Sequence, residues 1–348
     1  MEYIALKNIC KINMGQSPDS SSYNDNKDGI PFFQGNADFG EKYPVTRVWC
    51  NAPIKVAQPN DILISVRAPI GALNFAKEEC CIGRGLAALT PDRSKVSLEF
   101  IYWVLKWKKA ELNSKGTGST FKAISRKVLE ETLVPAIDFE KQYEYAEILG
   151  KTYSVIKKYK KELNCLDGLI KARFVELFDG KYPEDTLLNL CNIVDYRGKT
   201  PEKVEHGLPF ITAKNVKMHH MTLEPREYIS KETYDKVMVR GFPKEGDVVF
   251  TTEAPLGNVC RIPHFDTEFY IGQRIVTMQT DALNPTYLEY ALSDEEFVRK
   301  YMGKSSGSTV TGIRVRLLEQ LTIPVPARTL QDEFSTFVHQ VDKSKVTV

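Results

Sequence analysis

The chain has 348 residues, of which 42% are hydrophobic and 26% charged, with a formal net charge of +2. That length exceeds one ordinary domain and suits two of about 150 to 170 residues, while the near-neutral charge requires any nucleic-acid surface to be local. No apolar run approaches the roughly 18 residues of a membrane span and "MEYIALKNIC" lacks a basic-then-apolar leader, so a cytoplasmic location without membrane contact is expected. Cys10, Cys50, Cys80, Cys81, Cys165, Cys191 and Cys260 form no C-x-x-C pair and read as reduced, mostly buried thiols.

In chain order, the first half runs through "LKNICKI" at Leu6 and "GIPFFQGN" at Gly29 to "DILISVRAP" at Asp61, a β-rich run after the turn signal "QPN". "CCIGRGLAAL" follows at Cys80. "SLEFIYWVLKWKKAEL" at Ser97 has the spacing of an amphipathic helix, with Phe100, Trp103, Val104 and Trp107 assigned to core packing rather than to base stacking. "GSTFKAISRKVLEETLVPA" begins at Gly118. From Phe139 to Phe178 there is no proline, and the run predicts a single helix of roughly 60 Å. Along it Leu149, Ile156, Leu163, Ile170 and Leu177 recur at heptad spacing, with Thr152, Tyr159, Leu166 and Arg173 at the complementary positions of a coiled-coil seam.

The second half then repeats the first. "LLNLCNIV" at Leu187, "GLPFITAKN" at Gly207, "DVVFTTEAP" at Asp247, "FYIGQRIVTM" at Phe269 and "GSTVTGIRVRLLEQLTIPVPA" at Gly307 answer the segments above, and "EAPLG" at Glu253 answers "RAPIG" at Arg67. Pro324 matches Pro135 and Gln331 matches Gln142. Phe334, Val338, Val341, Lys345 and Val348 continue a like seam, over about half the length of the first. The expected fold is α+β: two related globules, joined and spaced by long α-helices that pair as an antiparallel coiled coil, with segments 1–137, 138–178, 179–326 and 327–348.

Two such globules alternating with two like helices resemble the specificity subunit of type I restriction-modification enzymes. The marks are the twin Gly-Ser-Thr segments before the helices, the paired "APIG/APLG" and "IGRG/IGQR" motifs, and the helix from "FEKQYEYAEIL" to "LIKARFVELF". The resemblance implies a DNA-binding subunit without catalysis of its own. Each globule would be a target-recognition domain for one half of a bipartite, asymmetric double-stranded DNA site, and the helices would measure the gap and dock methyltransferase subunits. A restriction subunit is a further implied partner, while the unpaired apolar positions Leu149 and Ile156 lead to a separate expectation, that this part of the longer helix is covered by a second copy of the chain, by methyltransferase helices, or by both. S-adenosylmethionine is expected in the methyltransferase partner and no cofactor in this chain.

DNA reading needs cations for phosphate and amide, hydroxyl or guanidinium groups for base edges. The loops of the first half supply Gln34, Asn36, Lys42, Arg67, Arg84, Lys115, Ser119, Thr120, Lys122 and Arg126. Those of the second supply Thr212, Lys214, Asn215, Lys217, Thr251, Thr252, Arg274, Lys304, Ser305, Ser308, Thr309, Arg314 and Arg316. The Gly-Ser-Thr loops lead this set, because small residues let backbone amides approach phosphate.

The rival reading is that the chain is itself a DNA adenine methyltransferase or a nuclease. "NPTY" at Asn284 resembles the N-P-P-Y motif, but its counterpart at Lys95 reads "KVSL", which favours a helix start with proline near its first position. Asp19, Asp25 and Lys27 crowd one polar loop, there is no P-loop, and His206, His219, His220, His264 and His339 lack metal spacing and are expected on the surface.

Overall fold

The computed structural model describes residues 2–118, 122–180, 182–196, 198, 201–307 and 310–347. It separates into two compact units, Met1–Lys157 and Lys158–Val348, and the division falls within one continuous helix, Phe139–Phe178.

In the first unit an antiparallel sheet orders Cys10–Met14, Leu86–Pro91, Ile62–Ser65 and Leu73–Phe75. Successive residues of a strand face opposite sides. Ile62, Ile64, Ala87 and Leu89 therefore enter a core with Ile101, Leu105 and Leu129, while Leu63, Leu86 and Ala88 enter another with Phe33, Ala57 and Ile82. A strand covered on both faces needs an unbroken apolar run, which is why "ILIS" does not alternate with polar residues. The helix Leu98–Trp107 contributes to the first of these cores. The second core draws on a mixed sheet ordered Tyr23–Asn24, Val48–Cys50, Ile30–Phe33, Cys80–Ile82 and Val56–Ala57.

The second unit repeats this plan. Asn192–Asp195, Ile275–Gln279, Val248–Thr251 and Val259–Arg261 form the same antiparallel order, and Leu208–Ile211 runs parallel to Tyr270–Ile271 as Ile30–Phe33 does to Cys80–Ile82. Val248, Phe250, Val276 and Met278 face one core, Val249 and Ile275 the other. Burying each such aliphatic or aromatic side chain contributes about 1.5–3 kcal/mol, so these positions must stay apolar in both copies.

Some local expectations change. The two amphipathic runs are each broken, into Leu98–Trp107 and Lys109–Ser114, and into Pro285–Ser293 and Glu295–Met302. In the second run Asp294 accepts a hydrogen bond from the Glu296 N–H at 2.9 Å and so starts a new helix. Because the first helix stops at Trp107, the inward stripe is completed by Ile101, Leu105 and Leu112 instead. Trp107, assigned to the core from spacing, is 67% exposed. Trp103 is half-buried, and it meets Tyr153 of the long helix edge-on at 5.4 Å. The Lys106 ammonium lies 3.3 Å from the Tyr153 ring centroid and 4.8 Å from that of Trp103, a cation–π contact between these two helices.

Within the second unit the helix Arg328–Thr347 packs against the end of the long helix. Phe334, Val338 and Val341 are buried with Ile170, Phe174 and Phe178. Ion pairs Arg173–Glu333 at 3.0 Å and Lys345–Asp167 at 2.8 Å progress in opposite senses along the two helices, so they are antiparallel. The heptad seam is only partly the contact stripe. Leu166 and Leu177 are partly buried against this core, Leu163 is half-buried outside it, and Leu149 and Ile156 are each 45% exposed. A helix that faces a whole globular core needs a wider apolar face than a two-helix seam, and Phe174 and Phe178 supply it.

At the start of each of these two helices a buried glutamine ties it to its globule. Gln142 Oε1 accepts from the Ser97 N–H at 2.8 Å, and its Nε2 donates to the Ile137 carbonyl at 2.9 Å. Gln331 repeats this with the Asn284 N–H and the Pro326 carbonyl, each at 2.8 Å. Gln331→Leu leaves both backbone groups without a partner and should lower stability by about 2–3 kcal/mol in urea denaturation.

Six of the seven cysteines are buried and Cys165 is exposed. Burial pushes the thiols of Cys10, Cys80, Cys191 and Cys260 up to about 12. Maleimide labelling of the native chain should therefore show one fast thiol that Cys165→Ala removes, with the others reacting only on unfolding.

Candidate nucleic-acid interface

The strand Ile62–Ser65 delivers the chain into Val66 and Arg67, and two other loops bond to it there. The Val66 N–H donates to the Gly85 carbonyl at 2.9 Å, the Ile124 N–H to the Val66 carbonyl at 2.9 Å, and the Ala68 N–H to the Lys122 carbonyl at 3.0 Å. The Gly85 N–H donates to the Gln34 carbonyl at 3.1 Å, and Ser17 Oγ bonds the Gln34 side chain and accepts from the Arg84 N–H. A Cβ at Gly85 would meet the Gln34 carbonyl oxygen at 2.4 Å, so glycine is what allows these loops to close together. Gln34, Arg67, Arg84 and Lys122 are thereby gathered, all exposed. The three cations form no ion pair among the described residues.

The second unit builds the same junction. The Thr252 N–H donates to the Arg274 carbonyl at 2.8 Å and the Ile313 N–H to the Thr252 carbonyl at 2.9 Å. An open cleft of about 310 Å³ lies here, lined by Glu253, Gln273, Arg274, Ser306 and Arg314 among others, and Arg274 also lines a cleft of about 270 Å³ with Thr212, Lys203 and Lys214.

Both Gly-Ser-Thr loops are pinned at their bases. Thr117 and Ala123 exchange two backbone hydrogen bonds of 2.9 Å, and Ser306 and Gly312 exchange two of 2.9 and 3.0 Å. Gly118 at φ 120° and Gly307 at φ 118° turn the chain into the loops, a conformation costly for any residue with a Cβ. Ser119, Thr120, Ser308 and Thr309 lie outside the described residues.

Three polar residues proposed for DNA contact are corrected by burial. Asn215 is 1% exposed: its Oδ1 accepts from the Thr212 N–H and hydroxyl, and its Nδ2 donates to the Thr222 and Pro225 carbonyls. Thr251 and Thr252 are 0% and 3% exposed, with Thr251 Oγ1 bonded to the Pro255 carbonyl at 2.6 Å. These side chains hold the loops in shape and have no surface to offer. Thr212 is half-buried, and its hydroxyl is engaged by Asn215.

The remaining candidates are more scattered. Lys115 is paired with Glu111 at 2.6 Å and Arg126 with Glu130 at 2.7 Å. Lys42 lies over the Tyr43 ring, and its carbonyl accepts from Phe75 of the edge strand. Asn36 begins a 3-10 turn, and Lys217 sits in the hairpin formed by Val216–Lys217 and His220–Met221. Lys304, Arg314 and Arg316 are exposed, whereas Ser305 is half-buried with its hydroxyl on the Met302 carbonyl.

His219 also departs from its expected surface role. Its ring stacks on Tyr290 at 4.3 Å and its Nδ1 is 2.9 Å from Oε1 of Glu289, whose Oε2 accepts from Arg261 Nε at 2.6 Å. Glu289 is 1% exposed, so this triad clamps the hairpin to the helix Pro285–Ser293. Asn284 caps that helix as expected, with Oδ1 accepting from the Thr286 N–H at 2.9 Å and Nδ2 donating to Asp332 at 2.7 Å. Both ends of this side chain are thus used to hold the helix start. Among the described residues no group of His, Cys, Asp or Glu is placed to hold a metal, and no helix is long and apolar enough to cross a membrane.

Sequence reasoning passed over Ser17, Gln273, Lys203 and Glu253. Of these Glu253 alone carried a signal, standing at the position of Arg67 in the duplicated Ala-Pro segment.

Known proteins match this architecture. The family model described as the type I restriction modification DNA specificity domain matches residues 1–165. A Methanocaldococcus jannaschii protein assigned as the MjaX specificity subunit of a type I restriction enzyme is 42% identical over 171 residues, 49% of this chain and 40% of that one. The chain thus spans less than half the length of that relative. The MjaVIII type I restriction enzyme specificity subunit of the same organism is 23% identical over 78% of this chain and 69% of its own length. The crystal structure of the type I restriction-modification system S subunit from M. genitalium superposes with a TM-score of 0.59 over 99% of this chain and 90% of that one, at 15% identity, a likeness that speaks for the shared two-unit α+β fold. The resemblance read from the twin Gly-Ser-Thr segments is thus matched: residues 1–165 fit the type I restriction modification DNA specificity domain, and the chain is similar to type I specificity subunits.

Proposed function

We propose that each unit uses the loop junction at the end of its central sheet to read one half of a bipartite duplex DNA site. The observation that carries this reading is the gathering of Arg67, Arg84 and Lys122, exposed and without ion pairs among the described residues, around Gln34 on mutually bonded loops. Unpaired cations on rigid backbone suit phosphate, and the amide between them suits a base edge. The loops of the two units differ, "FQGNADFG" against "ITAKNVKM", so the half-sites differ and the target is asymmetric. The similarity to proteins named specificity subunits supports the same assignment.

In this reading the chain selects DNA and its partners act on it. Methyltransferase subunits, which hold S-adenosylmethionine, dock on the exposed apolar part of the long helix, where Ile148, Leu149, Val155 and Ile156 lie, and the restriction subunit joins that assembly. The engagement of Asn284 in helix capping fits a chain without methyl transfer of its own.

Duplex binding measured by fluorescence anisotropy across a salt series tests the reading. The purified chain should bind with steep salt dependence, and Arg67→Ala with Lys122→Ala should weaken binding and reduce the log–log salt slope by roughly 2, near 0.9 per lost phosphate contact. Arg126→Ala should do less, since Glu130 already holds that guanidinium. An unchanged slope in the double variant overturns the assignment of this junction. Asn215→Ala should behave differently: thermal denaturation should show about 1–3 kcal/mol of lost stability, with the selected bases unaltered.

A further inference from the structure

We propose that Glu253 and Arg274 act as one unit that reads a single C·G base pair in the half-site of the second unit, Glu253 accepting from the cytosine N4 amino group and Arg274 donating to guanine O6 and N7. This rests on the DNA-reading function above and adds the chemistry of one position.

Glu253 follows the buried Thr252, whose N–H and carbonyl are fixed by Arg274 and Ile313, and it bridges to Gly312. Its Oε1 lies 2.7 Å from Arg274 Nε as an ion pair, with the two side chains 41% and 52% exposed. An exposed ion pair contributes little to stability, so the fold does not depend on a carboxylate here. A lone carboxylate facing DNA would also be repelled by phosphate. Paired with a guanidinium, it becomes a neutral acceptor.

Arg274 sits at φ +76°, a region that residues with a Cβ rarely occupy. The backbone junction holds it there and presents the guanidinium beside Glu253 at the open cleft. With Glu253 set against the Nε side of the guanidinium, the two terminal nitrogens remain to donate, and Oε2 remains to accept. No partner for them is present among the described residues.

The combination of one acceptor beside a pair of parallel donors selects among base pairs. In the major groove guanine alone offers two adjacent acceptors, O6 and N7, and the cytosine opposite offers the N4 donor next to them. An A·T pair has the amino donor but sets it between single acceptors, which leaves one arm of the guanidinium without a partner. The first unit lacks this device: Arg67 stands where Glu253 does, and Gly85 stands where Arg274 does. The two half-sites should therefore differ at this register.

Selection from a random duplex library, with sequencing of bound fragments, tests the proposal on the full chain, Glu253→Gln, Glu253→Ala, Arg274→Ala and Arg274→Lys. The parent should enrich one C·G position in one half-site, and each variant should lose about 10- to 100-fold of the discrimination there while keeping the other positions. Arg274→Lys is the sharper control, since it keeps the charge and the salt dependence but removes the planar fork. If the parent binds duplex DNA selectively and Glu253→Gln retains full stringency at every position, the paired reading is overturned while the DNA-reading function stands. Enrichment of A·T at the affected position also overturns it. A parent that binds no duplex at any salt concentration overturns the DNA-reading function and this proposal with it.

Discussion

The buried glutamine at the start of each long helix is the constraint on which the rest of the architecture hangs. A long amide side chain can accept from an orphan N–H and donate to an orphan carbonyl at the same time, through two separate atoms. Gln142 and Gln331 do so for backbone groups that the ends of neighbouring elements leave unsatisfied. Each is almost wholly buried, so these bonds form where an unmet polar group is expensive. Through them the direction of the helix is set by the globule from which it springs.

The central sheets then divide the labour within each unit. Residues facing either side of the sheet are confined to apolar types, because a helical core lies against one face and a second core against the other. Loops at the sheet end are bound to each other through backbone atoms, which any side chain can supply. That is how two copies of a fold keep the same hydrogen-bonded junction while placing a glycine at 85 and an arginine at 274, or an arginine at 67 and a glutamate at 253.

Much of the fold was legible because its signals are local or repeated. The duplicated segments located both sheets, the proline-free run located the long helix, and Asn284 before Pro285 read correctly as a cap. The site was less legible. Asn215, Thr251 and Thr252 look like surface residues in a polar loop, yet a tightly folded loop consumes its own polar side chains to satisfy buried backbone. Heptad spacing singled out Leu149 and Ile156 over Phe174 and Phe178, since a pattern for two helices cannot foresee one helix serving a whole core. Glu253 was passed over because a search for cations ignores an acid, even one whose charge is offset by a neighbouring arginine.

The bases of the two Gly-Ser-Thr loops bear on how such a protein changes over time. Thr117 with Ala123 and Ser306 with Gly312 each close their loop with a reciprocal pair of backbone bonds, independent of what lies between. A closed gate of this kind insulates the sheet from alterations in the intervening residues. Gly118 and Gly307 are the exceptions, since at their positive φ any side chain is strained, and a change there is felt by the fold itself.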